Sequence, residues 1–412
     1  MSHSDERLKV CFIHPQYHPA FSGHAIQLDR VRQRLRGYDV RVEVWTPRLP
    51  GTPACEYRQG IRIRRFGPSG GSRPRRYLRM LNLAAGVALS GFRYDILHHA
   101  GINGETRWTI LPAALLGRKQ VIQMTLLGSD DPETLMRARP TRLSRVLYRR
   151  VDRWIALGTA LLEAYRRTDL PRDRLVHIPV GVDLRRFRPA PDRGEVRKRL
   201  ELPESGPIVL AVGDMVPRKG FDLLVEAAAR VVVSVPETWF VVVGPKEHVD
   251  PDKHRVRVAY LEELETRARR LGVADRFRFV GAQRDMAAWY QAADVLAFPS
   301  RQEGLPNSVM EAAACGLPVV MAEMPGISCD LVDDGRTGYV VPQEDSRTLA
   351  ERLVSVLSDE ALRRAMGARG REWVEARFDL ERVVEQYLAL YRALAGAEAG
   401  GVASAPWFQE GV

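Results

Sequence analysis

The stretch DVLAFPSRQEGLPNSVMEAAACGLPVVMA, residues 294–322, decides the fold. Its first residues form a short apolar run that ends at Pro299, as a buried strand does. Arg301 to Asn307 then read as a loop, and the helix starts near Pro306 to Ser308. Pro suits a first helical turn, and Asn or Ser can cap it. Gly316 stops that helix, and LPVVMA begins the next strand. Strand, loop, helix and strand in this order make one unit of a parallel sheet. Glu303 stands in the loop beyond the carboxyl end of the strand, where doubly wound sheets bind ligands. Glu311 stands on the helix, one turn beyond Asn307. The N–H groups at such a helix start favour an anion, and carboxylates accept hydrogen bonds from sugar hydroxyls. Two acids flanking an anion site suit a ligand with phosphates in the middle and hydroxyls at both ends. A nucleotide-sugar has that layout.

The same alternation runs outward in both directions. LKVCFIH, VRVEVWT, DILHHA, QVIQMTL, RWIALG and RLVHIP read as strands, and HAIQLDRVRQRL reads as a helix. The pattern restarts after PVGVDLRRFRPAPDRGEVRKRLELPESG, a Pro-, Arg- and Gly-rich connection. PIVLAVG, WFVVVG and FRFVG follow as strands, with FDLLVEAAARVVV, VRVAYLEELETRARRLG and DMAAWYQAA as helices. The fold class expected is therefore α/β, with two doubly wound Rossmann-like domains facing a cleft. Residues 1–185 are expected to form the first domain, 186–206 the connection and 207–375 the second domain. Residues 376–395 form a C-terminal helix that returns to the first domain, and 396–412 a mobile Gly/Ala-rich tail.

A chain of 412 residues calls for more than one core. With 45% hydrophobic and 27% charged residues it is globular rather than disordered. No apolar run approaches a membrane span, and MSHSDERLKVCFIHPQ lacks the features of a signal peptide. Cys11, Cys55, Cys315 and Cys329 are scattered without metal-ligand or disulfide spacing, which points to a reducing cytoplasm and no metal. The net charge is +11, but residues 1–180 hold 31 Lys+Arg against 15 Asp+Glu, so the basic character lies in the first half. Eight arginines and no acid lie between Tyr57 and Phe92. The cluster in RPRRYLRMLNLAAGVALSG opens a helix whose leucines would pack on the sheet with Arg in water. The sharper reading is a basic amphipathic helix on an anionic membrane. No Gly-x-Gly-x-x-Gly follows the first strand and no P-loop appears; GPSGGS is a flexible loop. No nucleic-acid motif accompanies the charge.

EGLPNSVMEAAACGLPVV resembles the donor-binding motif of retaining family 4 glycosyltransferases of the GT-B fold. VGDMVPRKGFDLLVEA is similar to their second-domain phosphate loop. HIPVGVDLRRFRP is similar to their interdomain segment, with Val180 where Asn is usual. FVGAQRDMAAWYQAADVLAFPS precedes the Glu motif as it does in that family. The four segments stand in the family's order and the resemblance spans almost the whole chain. It implies that Arg218 and Lys219 hold the donor diphosphate, with Gly213 giving close backbone approach. It implies that Glu303 holds the transferred sugar, that Gly304, Leu305, Pro306 and Asn307 contact the sugar and β-phosphate, and that Glu311 accepts from the ribose. It implies a nucleotide-diphosphate sugar as co-substrate, no further cofactor and no metal. It also implies same-face attack, in which the leaving diphosphate takes the incoming hydroxyl's proton. The acceptor would be a small molecule or a lipid-linked saccharide, in polysaccharide, glycolipid or natural-product glycoside assembly.

Besides Val180, the chain departs from the family at three further places. Asp214 stands where the phosphate loop usually has Arg, which takes one cation from the diphosphate site. The first loop, AFSGHAIQL, keeps only Gly23 of the usual glycine pair, with Ser22 before it. Ala100 occupies a position where the family often has His; His98 or His99 would substitute, and His99 is taken as the catalytic candidate. TLLGSDDP resembles an acceptor-side loop of some members, while Asp130 and Asp131 read as caps of the next helix. Two other readings stand beside transfer. One is a GT-B epimerase or phosphorylase sharing the donor site, and the other is a non-catalytic basic binding protein.

Overall fold

The structure, a computed structural model, describes residues 7–15, 17–19, 23–69, 72–103, 106–138, 142–247 and 251–396. The expected tail lies outside the described residues apart from Gly396, as do Ser22 and two glycines of GPSGGS.

The chain divides into two compact units. One comprises Met1–Leu157, Leu161–Gly181 and Leu380–Val412; the other comprises Gly158–Ala160 and Val182–Asp379. The first contains β1 (Leu8–Ile13), β2 (Val40–Pro47), β3 (Cys55–Arg58), β4 (Ile61–Phe66), β5 (Ile96–Ala100), β6 (Lys119–Gln123), β7 (Arg153–Ala156) and β8 (Leu175–His177). They lie in the order β3-β4-β2-β1-β5-β6-β7-β8. Only β3 runs antiparallel to its neighbour; the other pairs are parallel. The second unit contains β9 (Ile208–Val212), β10 (Trp239–Val243), β11 (Phe277–Gly281), β12 (Val295–Phe298), β13 (Val319–Ala322) and β14 (Gly338–Val341). This sheet is wholly parallel, in the order β11-β10-β9-β12-β13-β14.

Parallel strands are buried on both faces, which explains the near-continuous apolar runs of β1, β9 and β10. In the first sheet Val10 and Phe12 point to one side and Cys11 and Ile13 to the other, because side chains alternate along a strand. The first side packs against the Gly23–Leu35 helix and the Leu380–Ala395 helix, through Leu28, Val31, Val383, Tyr387 and Tyr391. The C-terminal helix thus belongs to the first unit, as expected. The second side packs against Leu83 and Val87 of the Arg73–Ser90 helix. In the second unit, Leu224 and Val231 of the Phe221–Ser234 helix join Leu353 and Val356 of the Ser346–Ser358 helix in the core over the sheet.

Several boundaries differ from those read in the sequence. The unit changes at Gly181/Val182 rather than at 185/186. Residues 186–206 are not a bare connection: they hold the Arg193–Arg199 helix, capped by Asp192 and built into the second unit. Val196 and Arg197 are its buried residues, and Arg197 lies on the Asp294 carboxylate, 2.7 Å away. The C-terminal helix starts at Leu380, because the preceding helix Glu360–Arg377 runs past residue 376.

The strand pair β3–β4 was not among the expected strands. Burial alternates along IRIRRF, with Ile61, Ile63 and Arg65 inward, but Arg65 stands where an apolar residue would continue the pattern. In the Arg73–Ser90 helix only Arg79, Leu83 and Val87 are buried, whereas Tyr77, Leu78, Leu81 and Leu89 are exposed. The expectation that its leucines pack on the sheet therefore fails for most of them. No helix among the described residues is long and apolar enough to cross a membrane.

Candidate functional site

Two loops of the second unit meet at the carboxyl ends of β9 and β12. The first, after β9, runs from Gly213 to the 3-10 turn Pro217–Lys219. Gly220 ends that turn at φ 67°, and a Cβ there would lie 1.9 Å from the Pro299 carbonyl oxygen. Only glycine lets the two loops approach so closely. The second loop, Pro299 to Pro306, bonds back across the gap: Arg301 N–H donates to the Arg218 carbonyl at 2.8 Å.

Glu303 is the meeting point. Its Oε1 accepts from Lys219 Nζ at 2.5 Å, from Ser300 Oγ at 2.7 Å and from Arg218 Nη1 at 2.9 Å. Burial alone would raise the Glu303 carboxyl. The Lys219 and Arg218 charges, with the bonds from Lys219 and Ser300, outweigh it and hold the group below the usual carboxylate range. Lys219 also lies over the Phe298 ring, 5.4 Å from its centroid. Gly213 makes room for that lysine, because a Cβ at 213 would meet its side-chain carbons at 3.0 Å. Within the structure the glycine thus serves the Lys219 stem.

Arg301 fixes the frame. Its guanidinium bonds both oxygens of Asp222 at 2.8 Å, both oxygens of Glu344, and the Pro217 carbonyl at 2.6 Å. Those bonds to Asp222 and Glu344 push its pKa further up. One planar fork therefore ties three segments together, which a lysine could not do.

The helix after the loop is Asn307–Ala314, and Gly316 at φ 79° follows its end. Asn307 is its first residue rather than its cap. Pro306 occupies the cap position and supplies no side-chain cap. Proline has nothing to offer as a cap, which leaves the first turn's amides suited to an outside acceptor. Gly304 and Asn307 are half-buried, while Leu305 and Pro306 are buried. Glu311 is buried as well, and its Oε2 accepts from the Tyr290 hydroxyl at 3.0 Å.

Asp214 does not stand loose beside Lys219. Arg257, on the Pro251–Arg270 helix, holds it with Nε to Oδ1 at 2.5 Å and Nη2 to Oδ2 at 2.6 Å. The carboxylate that replaces the family's arginine is neutralised by an arginine from elsewhere in the fold.

Gly23 and His99 belong to the first unit. Gly23 is exposed and begins the Gly23–Leu35 helix. His99 is fully buried in β5, with Nδ1 3.3 Å from Thr109 Oγ1. Burial pulls its pKa down to about 4, so the ring is neutral. It sits in the core of the first unit. His98 points to the opposite side of the sheet, bonded to Tyr391 at 2.6 Å and stacked on Phe12. Asp131 caps the Pro132–Ala138 helix by accepting from Thr134 N–H at 2.8 Å. Asp130 instead braces its own loop through Thr125 and Leu126. Burial raises its carboxyl to about 6 against those bonds.

With this geometry in place, the relatives can be set beside it. The family model described as glycosyl transferases group 1 matches residues 192–373, and the one described as Glycosyltransferase Family 4 matches residues 21–186. D-inositol 3-phosphate glycosyltransferase of Streptomyces scabiei is 32% identical over 368 residues, which cover 84% of this chain and 81% of that protein. The chain is a family 4 glycosyltransferase. Its fold is GT-B. Sucrose-phosphate synthase of Thermosynechococcus elongatus superposes with a TM-score of 0.76 at 24% identity, covering 95% of this chain and all of that one. HepE of Anabaena, solved with UDP, gives 0.76 at 20% identity over 94% and 100%.

In this glycosyltransferase, sequence reasoning brought Gly213, Arg218, Lys219, Glu303 and Glu311 into one unit, and the structure joins three of them through one carboxylate oxygen. Tyr290, Ser300 and Arg301 were missed. Ser300 and Arg301 lie directly before the Glu motif and could have been found by asking what holds that loop. Tyr290 has no such signal, since nothing local links it to Glu311.

Proposed function

We propose that the transferase moves a sugar, with retention, from a nucleotide-diphosphate sugar to an acceptor hydroxyl. The observation that carries this reading is the Lys219–Glu303–Arg218 cluster beside the start of the Asn307–Ala314 helix. Arg218, Lys219 and the first amides of the Asn307–Ala314 helix are the donors for a diphosphate. Glu303 is the acceptor for hydroxyls of the transferred sugar, and Glu311 for hydroxyls of the ribose. The acceptor oxygen bonds to the sugar's anomeric carbon as the bond to the β-phosphate oxygen breaks. The acceptor's proton passes to that leaving oxygen. These groups then work by positioning and by stabilising the charge that grows on the diphosphate. The reading needs no cofactor beyond the co-substrate and no metal. The Streptomyces relative's name and the UDP held by HepE are in keeping with it.

On the acceptor side, the reading draws on an open cavity of about 690 Å³ in the first unit. It lies by the carboxyl ends of β2 and β4, where Arg48, Thr52, Ser69 and Arg75 line it. Two arginines suit an acceptor that carries an anionic group. A second feature favours work at a membrane surface. The Arg73–Ser90 helix carries exposed Arg73, Arg75 and Arg76 at its start and then an outward face with Leu81 59% and Leu89 76% exposed. That face fits a lipid-linked acceptor and a cytoplasmic enzyme resting on anionic lipid.

The test is a thermal-shift screen of nucleoside diphosphates and nucleotide-sugars, followed by product analysis. A ligand at about 100 times its Kd stabilises by roughly 2.7 kcal/mol if it binds only the folded state. Transfer requires a second substrate and leaves the anomeric configuration unchanged by NMR. A donor altered without any acceptor would identify an epimerase instead.

A further inference from the structure

The first unit holds a second cavity, of about 320 Å³, that the transfer reaction does not use. Lys9, Arg41, Arg62, Arg64 and Arg93 line it, with Glu43 as the one carboxylate. These cations are far apart in sequence and are gathered by strand register. Lys9 lies opposite Arg41 across β1 and β2, Glu43 opposite Arg62 across β2 and β4, and Trp45 opposite Arg64. Alternation puts all of them on the side of the sheet that also carries Cys11, Ile13, Trp45 and Phe66. The Arg73–Ser90 helix covers only the latter part of that side, through Leu83 and Val87. Where the helix ends, the turn Gly91–Arg93 brings Arg93 to the rim. Lys9 and Arg41 stand near the amino starts of their strands. The cavity is therefore toward the end of the sheet opposite to the one where doubly wound folds bind substrates.

Little negative charge offsets this group. Glu43 is buried, accepts from Trp45 Nε1 at 2.8 Å and lies 3.9 Å from Arg62. Asp95 accepts from the Lys9 backbone N–H at 2.7 Å. Arg64 rests over Trp45 and Phe66, about 5 Å from each ring centre. Among the described residues, no ion pair is formed by Lys9, Arg41, Arg64 or Arg93. From Gln59 to Tyr94 the sequence has no acid to supply one. Like charges converging on one concave site focus a positive potential there. Guanidinium groups match phosphate oxygens in pairs, and the volume is that of a small-molecule site.

We propose that this cavity is a second anion site, which takes a ligand bearing a phosphate monoester or polyphosphate group. The site stands apart from the donor assignments, and its test reads binding rather than transfer. Calorimetric titration with tripolyphosphate would use the full chain, an Arg218→Ala/Lys219→Ala variant and an Arg41→Gln/Arg93→Gln variant. Arg41 and Arg93 are exposed, so their replacement leaves the melting temperature unchanged. The expected result is a binding component that persists in the first variant and weakens at least about tenfold in the second. It also weakens as salt rises. A parallel arm uses vesicles of phosphatidylcholine with phosphatidic acid, which carries the same group on a lipid. Tripolyphosphate binding lost in Arg41→Gln/Arg93→Gln identifies a soluble ligand, and vesicle binding alone lost in that variant identifies a headgroup. The proposal is overturned if no component survives Arg218→Ala/Lys219→Ala, or if Arg41→Gln/Arg93→Gln binds both probes as the parent does.

Discussion

The Lys219 ammonium lies 2.5 Å from a Glu303 carboxylate oxygen, and both side chains are nearly nine-tenths buried. The cation expected to hold the diphosphate and the acid expected to hold the sugar are thus partners of each other. On the proposed reading, a donor's phosphates would meet a lysine already oriented by Glu303.

The two halves of that pair should fail differently. Lys219→Ala and Arg218→Ala each remove a charge-assisted donor, costing roughly 1.5–3 kcal/mol of donor binding, about tenfold to a hundredfold in Kd. Glu303→Gln keeps the shape and leaves Lys219 available, so affinity for a free nucleoside diphosphate holds while turnover drops by about tenfold or more. Titration calorimetry and steady-state kinetics on the three variants check this. Equal loss of diphosphate affinity in all of them would contradict the division of roles.

Glu311 predicts a different pattern. Glu311→Gln weakens binding of the nucleoside diphosphate even with no sugar attached, because the ribose contact is common to both ligands. Tyr290→Phe removes the 3.0 Å bond that holds Glu311. It costs about 1 kcal/mol of stability and weakens nucleotide binding less than Glu311→Gln does. Melting temperatures and Kd values for the two variants separate the positioning effect from the direct one.

Acid sensitivity should come from Asp29. Burial alone would raise its carboxyl, but His18 at 2.9 Å, Arg32 at 2.5 Å and the Tyr17 hydroxyl bring it from 3.8 to about 2. A carboxyl whose folded pKa is depressed stabilises the fold above its unfolded value and loses that contribution as pH falls through the folded one. The window is therefore from about 4 down to about 2, and the contribution at neutral pH is about 2 kcal/mol. Asp29→Asn should lower the urea midpoint at pH 7 and flatten the stability profile within that window. A parallel loss at every pH would assign the effect to packing.

The outward leucines of the Arg73–Ser90 helix predict vesicle binding. Sedimentation with vesicles of rising anionic content should show salt-sensitive association, each arginine adding about 1 kcal/mol near the surface. Leu81→Ser with Leu89→Ser should weaken it without lowering the melting temperature, since both side chains are already in water. Absence of vesicle binding at low salt rules the membrane reading out.

Local pattern by itself determined the two doubly wound units, because strand and helix periods repeat within a few residues and parallel strands are apolar along their length. It also brought together the segment from Glu303 to Glu311, where loop, helix start and helix lie in consecutive residues. The tertiary structure alone decided the rest. Lys219 meets Glu303 across 84 residues, and Tyr290 and Arg257 reach Glu311 and Asp214 from other helices. His99 reads as a candidate in DILHHA, yet it is core because the Thr109 and Gln120 segments close over it. Lys9, Arg41 and Arg62 read as scattered charges until the register of β1, β2 and β4 sets them side by side. A sequence shows which side chains share a face of their own element. Which faces meet depends on packing and register over long separations, and those are fixed only when the whole sheet forms.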